Sequence, residues 1–409
     1  MKKQRLPFFS IVKYFSVTLM VSSLLIANNA ISQNNTDTSF TPSGKLWGLA
    51  YGDYAFKMNS DPLNRGVNNQ YTGIKKNESL FQFRRIYLGY DYEISRKFSA
   101  NFLLAHEEDE VSTAIASPTT SGDLLTNNKS SLFIKLASVT WKNIFKGSNL
   151  SFGQLYTPST VLLADKVWDY RCIERTISDI RRTPHYDFGF RLDGTILDKK
   201  DQEIGYNLMV GNGTAAKPEN DMFKWFYGDV YTKLFDKKLI IDLYADYTRI
   251  NWTNNWHHDR SMLKGLIAYS TPKFTIGAEA FTNTIRKDNI ATKSILLSDT
   301  IDTKASCISI FSRGQIYKNI LGFFVRYDSY NPTSNNNNSI YTAYSPLNTN
   351  YNPNTKEEFF TAGLDYSPIP QIHIMPNIWY NKYINSAPSI KDNGEDLVLR
   401  LSFYYIYGK

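Results

Sequence analysis

The stretch Leu321-Gly322-Phe323-Phe324-Val325-Arg326-Tyr327-Asp328 decides the fold. Leu321, Phe323, Val325 and Tyr327 fall on one side of an extended chain, while Arg326 and Asp328 fall on the other. The same period of two runs through Phe98-Ser99-Ala100-Asn101-Phe102-Leu103-Leu104, Phe188-Gly189-Phe190-Arg191-Leu192-Asp193, Leu239-Ile240-Ile241-Asp242-Leu243-Tyr244-Ala245-Asp246 and Leu397-Val398-Leu399-Arg400-Leu401-Ser402-Phe403. Such alternation marks strands whose two faces meet different environments. Segments of this kind lie near 44–56, 80–93, 97–106, 131–143, 149–158, 186–197, 203–212, 224–235, 238–249, 261–270, 272–284, 304–317, 319–329, 356–367, 371–384 and 395–407, about sixteen in all.

The connections are as informative as the strands. Gaps after odd-numbered strands are long and polar, as in 57–78, 107–130 and 331–354. Gaps after even-numbered strands are tight: Ser95-Arg96, Phe235-Asp236-Lys237, Thr271-Pro272, Tyr317-Lys318 and Ser367-Pro368-Ile369-Pro370. Long loops at one end and short turns at the other are the pattern of an outer-membrane barrel, with both chain ends on the short-turn side. A soluble repeat or propeller has no reason to keep it. In lipid only a closed sheet satisfies every backbone group of its strands. The expected fold is all-β: a transmembrane antiparallel β-barrel of about 16 strands.

Composition agrees. The 409 residues are 42% hydrophobic, 21% charged and 15% aromatic, which excludes a disordered or collagen-like chain. A mean hydropathy of −0.37 argues against a bundle of membrane helices. Of the formal charge of +8, four units come from Lys2, Lys3, Arg5 and Lys13, leaving 8 − 4 = +4 for the rest. That excess does not point to nucleic acid. The basic start, the apolar run Val17–Ala27 and the small and polar close Ala30-Ile31-Ser32-Gln33 read as a secretory signal peptide over 1–33. The run is shorter than the ~20 residues of a spanning anchor. The domain organisation is thus signal peptide 1–33 and barrel 34–409, located in the outer membrane of a Gram-negative cell, among lipid and lipopolysaccharide.

An apolar face toward lipid leaves the other face for the lumen. The basic pore-lining candidates are Arg85, Lys135, Arg191, Arg326 and Arg400, interspersed with Asp91, Asp187, Asp193, Asp242, Asp246, Glu279, Asp328 and Asp365. A lumen this charged is expected to be wet, and sixteen strands enclose more space than side chains fill. Trp47, Tyr90, Tyr92, Trp141, Tyr247, Tyr269 and Trp379 are candidate interfacial girdle residues.

The third outward loop breaks the pattern. Residues 160–183 contain no Gly and show helical spacing. Ile173, Ile177 and Ile180 form one stripe, and Arg171, Arg175 and Arg182 a second, roughly 200° away at about 100° per residue. The segment balances Lys166, Arg171, Arg175, Arg181 and Arg182 against Asp165, Asp169, Glu174 and Asp179, a net +1. A short helix here either folds into the pore, with Arg171, Arg175, Arg182 and Lys166 at a constriction, or lies as a lid over the mouth with its arginines paired.

Gly153-Gln154-Leu155-Tyr156-Thr157-Pro158, then Trp168-x-x-Arg171-x-x-Glu174-Arg175-Thr176, Arg326-Tyr327-Asp328-x-x-x-Pro332, Ala362-Gly363-Leu364-Asp365 and His373-Ile374-Met375-Pro376-Asn377-Ile378-Trp379 together resemble the phosphate-selective porin O and P family and its porin-like relatives. The resemblance covers essentially the whole mature chain. It implies a sixteen-stranded homotrimeric porin whose inward loop sets selectivity among small hydrophilic solutes, including anions.

Other chemistry finds little support. His106, His185, His257, His258 and His373 show no metal-site spacing, so neither metal nor cofactor is expected. No serine accompanies His373 and Asn377 to build a hydrolase, so the chain reads as no enzyme. Cys172 and Cys307 can be bonded or free. Glu107-Glu108-Asp109-Glu110 is either a solvated loop or a seat for divalent cations bridging lipopolysaccharide. A non-conducting barrel that anchors surface partners is the alternative to a channel.

Overall fold

The computed structural model describes residues 40–65, 71, 74–107, 131–160, 162–181, 184–219, 221–250, 258–337, 339–346, 355–385 and 394–408. The signal segment 1–33, Arg182 and Glu108-Asp109-Glu110 therefore lie outside the described residues. The strands are β1 (Ser43–Asn59), β2 (Ser79–Glu93), β3 (Phe98–Glu107), β4 (Phe133–Phe145), β5 (Ser148–Tyr156), β6 (Tyr186–Asp198), β7 (Glu203–Gly211), β8 (Trp225–Leu234), β9 (Leu239–Ile250), β10 (His258–Ser270), β11 (Phe274–Ser294), β12 (Leu297–Tyr317), β13 (Leu321–Asn331), β14 (Ala343–Pro346), β15 (Thr355–Ile369), β16 (Ile372–Asn385) and β17 (Gly394–Tyr407). Two short helices, α1 (Ala164–Trp168) and α2 (Ile177–Arg181), lie in the loop between β5 and β6.

Sixteen strands close into a barrel. Each pairs antiparallel with its neighbour, β13 pairs directly with β15, and β17 closes on β1 from Gly48↔Tyr407 to Asn59↔Leu397. The quoted stretch falls in β13 as its alternation requires: Phe324, Arg326, Asp328 and Tyr330 are buried, and Tyr327 is exposed. Elsewhere Leu243, Leu263, Ile267, Ile276, Ile310 and Leu401 stand exposed on the outer wall. In water such a surface would drive association, whereas in hydrocarbon it is the solvated one. Gly153 in β5 has φ +125°, and a Cβ there would stand 2.2 Å from the Ala137 carbonyl oxygen. Only glycine fits that approach.

Two expectations change. Residues 285–303, between the strands expected at 272–284 and 304–317, are no loop: β11 and β12 continue their ladder up to Ser294↔Leu297, and β14 adds a short strand along Asn289–Thr292. The local polar sequence hid this, because a hairpin rising beyond the bilayer has no lipid face to keep apolar. Trp47 and Trp379 are not girdle residues. Trp379 is buried inside the barrel, and Trp47 Nε1 donates to Asp91 Oδ2 at 2.9 Å. Of the girdle candidates, Tyr90 and Tyr269 stand exposed toward the short-turn end, where Tyr405 and Tyr407, not singled out in sequence, join them.

Closure gives a direct test. Deleting residues 400–409 strips β1 of its β17 partners from Gly48 to Ala55 and opens two unpaired edges in lipid, each orphaned group costing several kcal/mol. Such a truncation should lose heat-modifiable migration in SDS gels and fail to assemble in membranes. Normal insertion would refute the closure argument.

Candidate functional site: the inward loop and its two cavities

Two strand irregularities set the electrostatics of the interior. In β2 the register jumps from Tyr51↔Arg85 to Gly52↔Phe83, so Arg84 is the extra residue of a bulge. Both Arg84 and Arg85 are consequently buried inside. In β4 the partners of Leu103 and Leu104 are Leu136 and Ile134, which makes Lys135 the extra residue. Arg85 Nη1 lies 3.2 Å from Glu107 Oε1, and Lys135 Nζ pairs with the same carboxylate while donating to Tyr87 Oη at 2.9 Å. Opposed charges sharing hydrogen bonds offset the cost of taking ions out of water.

The loop between β5 and β6 packs inside the barrel. Trp168, Ile173 and Val167 share a buried cluster with Phe311, Phe324 and Met375 of the wall, and Ile177 joins a second cluster with Met209, Tyr244 and Phe281. The helical expectation for 160–183 is met only at α1 and α2. Between them the chain turns at Asp169, whose φ is +64°, and runs on without helix to Thr176. Non-helical backbone leaves carbonyls free, and a buried carbonyl must find a donor. The wall supplies them. Arg84 Nη1 donates to Cys172 O and Ile173 O, both at 3.0 Å, and Arg400 Nη1 to Ile173 O at 3.1 Å. Arg326 Nη1 donates to Arg175 O at 2.5 Å and Glu174 O at 3.4 Å, and Arg313 Nε to Val167 O at 3.0 Å. Lys264 Nζ donates to Ser159 O, and Trp379 Nε1 to Glu174 Oε2 at 3.1 Å.

Arg326 and Arg400 therefore face inward without lining water. Each is at most 4% exposed, and Arg326 also forks onto Asp328, with Nη2 2.5 Å from Oδ2. Arg85 and Lys135 are equally enclosed, so the expectation of a wet lumen along this part of the wall is corrected: loop and wall consume each other's polar groups. Arg191 keeps partial exposure, 3.0 Å from Asp193. Arg84 and Arg313 were not singled out in sequence. Alternation along β12, where Cys307, Ser309 and Phe311 are buried, would have turned Arg313 inward.

Within the loop, Arg171 is a clasp. Its Nη1 donates to Asp165 Oδ2 of α1 at 2.8 Å and to Asp179 Oδ2 of α2 at 2.5 Å. Asp165, Asp179 and His185 bring ligand-type atoms within 4.8 Å of one another, but the guanidinium already supplies the cation there. Burial alone would raise the Asp179 carboxyl, yet Arg171 and then His185 hold it well below the usual carboxylate range. His185 is pushed down to about 4 by burial and then by Arg171, so it stays neutral near pH 7. Arg175 is half-buried, and Cys172 and Cys307 form no disulfide and are buried in separate clusters.

Two cavities flank α1 on the short-turn side of the loop, and Lys166 lines both. One, of about 420 Å³, is walled by tyrosines with Arg171, Asp165, Asp169 and Asp365. The other, of about 380 Å³, gathers Lys166, Arg191 and Lys233 against Asp193. Lys166 is exposed and has no ion-pair partner among the described residues. The protein enclosing its stem between loop and wall, then Lys233 and Arg191, lower its proton affinity. Of the candidate constriction cations among the described residues, Lys166 is exposed and Arg171 is paired twice.

No protein-family model matches the chain, and no curated relative matches its sequence. Solved structures match in fold. The outer membrane channel DcaP of Acinetobacter baumannii aligns over 90% of this chain and 99% of its own, with TM-score 0.60 and 12% identity. The anion-selective porin from Comamonas acidovorans aligns over 90% and 100%, with TM-score 0.54 and 11% identity. OmpT, an outer membrane protein of Vibrio cholerae in trimer form, aligns over 90% and 100%, with TM-score 0.53 and 9% identity. At such identities the likeness is one of fold, and the architecture is that of an integral outer-membrane, porin-like barrel.

Proposed function

We propose that the chain is an outer-membrane porin: exported by its 1–33 segment, it forms a channel through which small hydrophilic solutes diffuse passively, with anions favoured. The observation that carries this is the loop latched across the lumen with Lys166 exposed between two cavities. Arg191 is paired with Asp193 and Lys233 with Glu203 at 2.7 Å, so the second cavity keeps a net +1 on the unpaired Lys166, in a setting where low-dielectric walls extend the reach of charge. The resemblance to the phosphate-selective O and P family and the fold shared with an anion-selective porin support the same reading at the level of anions. A homotrimer is in keeping with the trimeric neighbour. An anchoring scaffold is favoured only by the β11–β12 hairpin, whose tip residues Ile295 and Leu296 are fully exposed. Conductance separates the two, since a scaffold conducts little.

Replacing Lys166 by Glu should shift the reversal potential in a salt gradient toward cations, by about 1 kcal/mol or roughly five-fold in the permeability ratio at low salt. The shift should fade at about 1 M, where the Debye length is roughly 3 Å. Replacing Arg171 by Ser should alter conductance more than selectivity, because that charge is already paired. An unchanged reversal potential in the Lys166 variant places Lys166 outside the permeation path.

The latch is tested separately. Changing Arg326 and Arg400 together to Met orphans the Arg175 carbonyl and the Asp328 carboxylate and leaves Ile173 O to Arg84 and Glu174 O to Trp168, a loss of about 3–5 kcal/mol. The barrel should persist as heat-modifiable protein while single-channel current becomes larger and noisier. A quiet channel of wild-type conductance would show that the loop holds without them.

A further inference from the structure

The larger cavity differs in chemistry from its basic neighbour. Tyr51, Tyr87, Tyr156, Tyr170 and Tyr404 present their side chains to a space of about 420 Å³, within the ~300–1,000 Å³ of ordinary small-molecule sites. They come from β1, β2, β5, the inward loop and β17, so the fold converges on this space from five directions. Its aspartates are each paired, Asp165 with Arg171, Asp169 with Arg313 at 3.5 Å and Asp365 with His373 at 2.9 Å, so the wall carries little net charge to select an ion.

Hydrogen-bonding capacity of both kinds is left unspent in its wall. Tyr51 Oη, Asp165 Oδ1 and Arg171 Nε have no hydrogen-bond partner among the described residues, and Tyr51 and Asp165 are more than nine-tenths buried. Tyr170 Oη donates to Asp365 Oδ2 at 3.0 Å, and His373 Nδ1 lies 2.9 Å from Asp365 Oδ1, which fixes a polar edge. Rigid aromatic faces suit a ring with apolar C–H faces. Mixed donors and acceptors suit a ligand bearing several hydroxyls, each able to give and accept. A carboxylate or phosphate would find Arg171, Arg313 and His373 already engaged by the aspartates, and a purely aromatic ligand would leave the polar groups unsatisfied.

We propose that this cavity is a binding site for a neutral pyranose sugar. A channel with it would carry two chemically distinct chambers beneath one loop, basic on one side of α1 and sugar-binding on the other. The inference rests on the porin reading only for the route by which the sugar arrives.

The test is calorimetric titration of the folded full-length barrel, in a detergent without sugar headgroups, with D-glucose, benzoate and inorganic phosphate. Glucose should bind saturably, with benzoate and phosphate at least roughly ten-fold weaker. Tyr51→Phe, which removes one hydroxyl, should weaken glucose about five-fold, and Tyr170→Ala by more. Heat-modifiable migration reports folding, and Tyr51→Phe decides if Tyr170→Ala does not fold. Absent saturation with glucose, a preference for benzoate or phosphate, or an unchanged affinity in the Tyr51 variant overturns the proposal. Bilayer conductance of the same sample is read independently. Conduction without glucose binding sinks the sugar site alone, and glucose binding without conduction sinks the porin reading and leaves the site.

Discussion

A hydrocarbon solvent donates and accepts nothing, and the rest of this structure depends on that constraint. The sheet must close, so β17 returns to β1 and every spanning strand has two neighbours. Closure with sixteen strands encloses a space wider than its own side chains fill. A loop then enters that space, bringing irregular backbone to membrane depth, where it is tolerated only if its polar groups are satisfied by protein or water.

That demand explains the wall. Arg84, Arg313, Arg326, Arg400 and Lys264 point at carbonyls of the loop. A guanidinium suits the task because its several donors lie in a fixed planar fork and it does not lose its charge. Arg326 holds Asp328 with one part of the fork and two loop carbonyls with another. The same residues that would make an open lumen attractive to anions are thereby spent on shaping it. What remains outside that network is smaller: an exposed Lys166, and cavities lined by Arg191 and Lys233 on one side and tyrosines on the other.

Buried charge here is a packing device as much as an electrostatic one. Lys57 and Asp396 pair at 3.0 Å with neither more than 2% exposed, and Lys57 also donates to Tyr71 O at 3.1 Å. Tyr71 in turn donates to Asp53 and accepts from Arg400. An ion pair of this kind adds little net stability over an apolar pair, but a mispaired alternative would strand a charge, which disfavours other registers and other loop positions. Arg171 plays the same part inside the loop, drawing α1 and α2 together through two carboxylates.

The sequence by itself determined the barrel. Period-two alternation is imposed by a lipid face and a protein face on each strand, so it is written locally, and each of the sixteen barrel strands overlaps a segment it marks, with β11 and β12 extending beyond theirs. The order of long loops and short turns is equally local and assigned the two ends. Tertiary structure decided what the charged residues do. Arg326 and Arg400 carry the same inward signature whether they face water or a carbonyl, and nothing in β13 or β17 says that a loop more than a hundred residues away will meet them. The stripe of Ile173, Ile177 and Ile180 promised one helix, but wall donors bound the carbonyls that helix needed, and the chain broke between Asp169 and Thr176. Bulges at Arg84 and Lys135 shift register by one residue, which reverses a face without leaving a mark in the alternation. The cavities belong to no single segment: Lys166, Arg191 and Lys233 meet only because α1, seated on β10, β11 and β12, places Lys166 across one cavity from β6 and β8 and beside the tyrosines of the other.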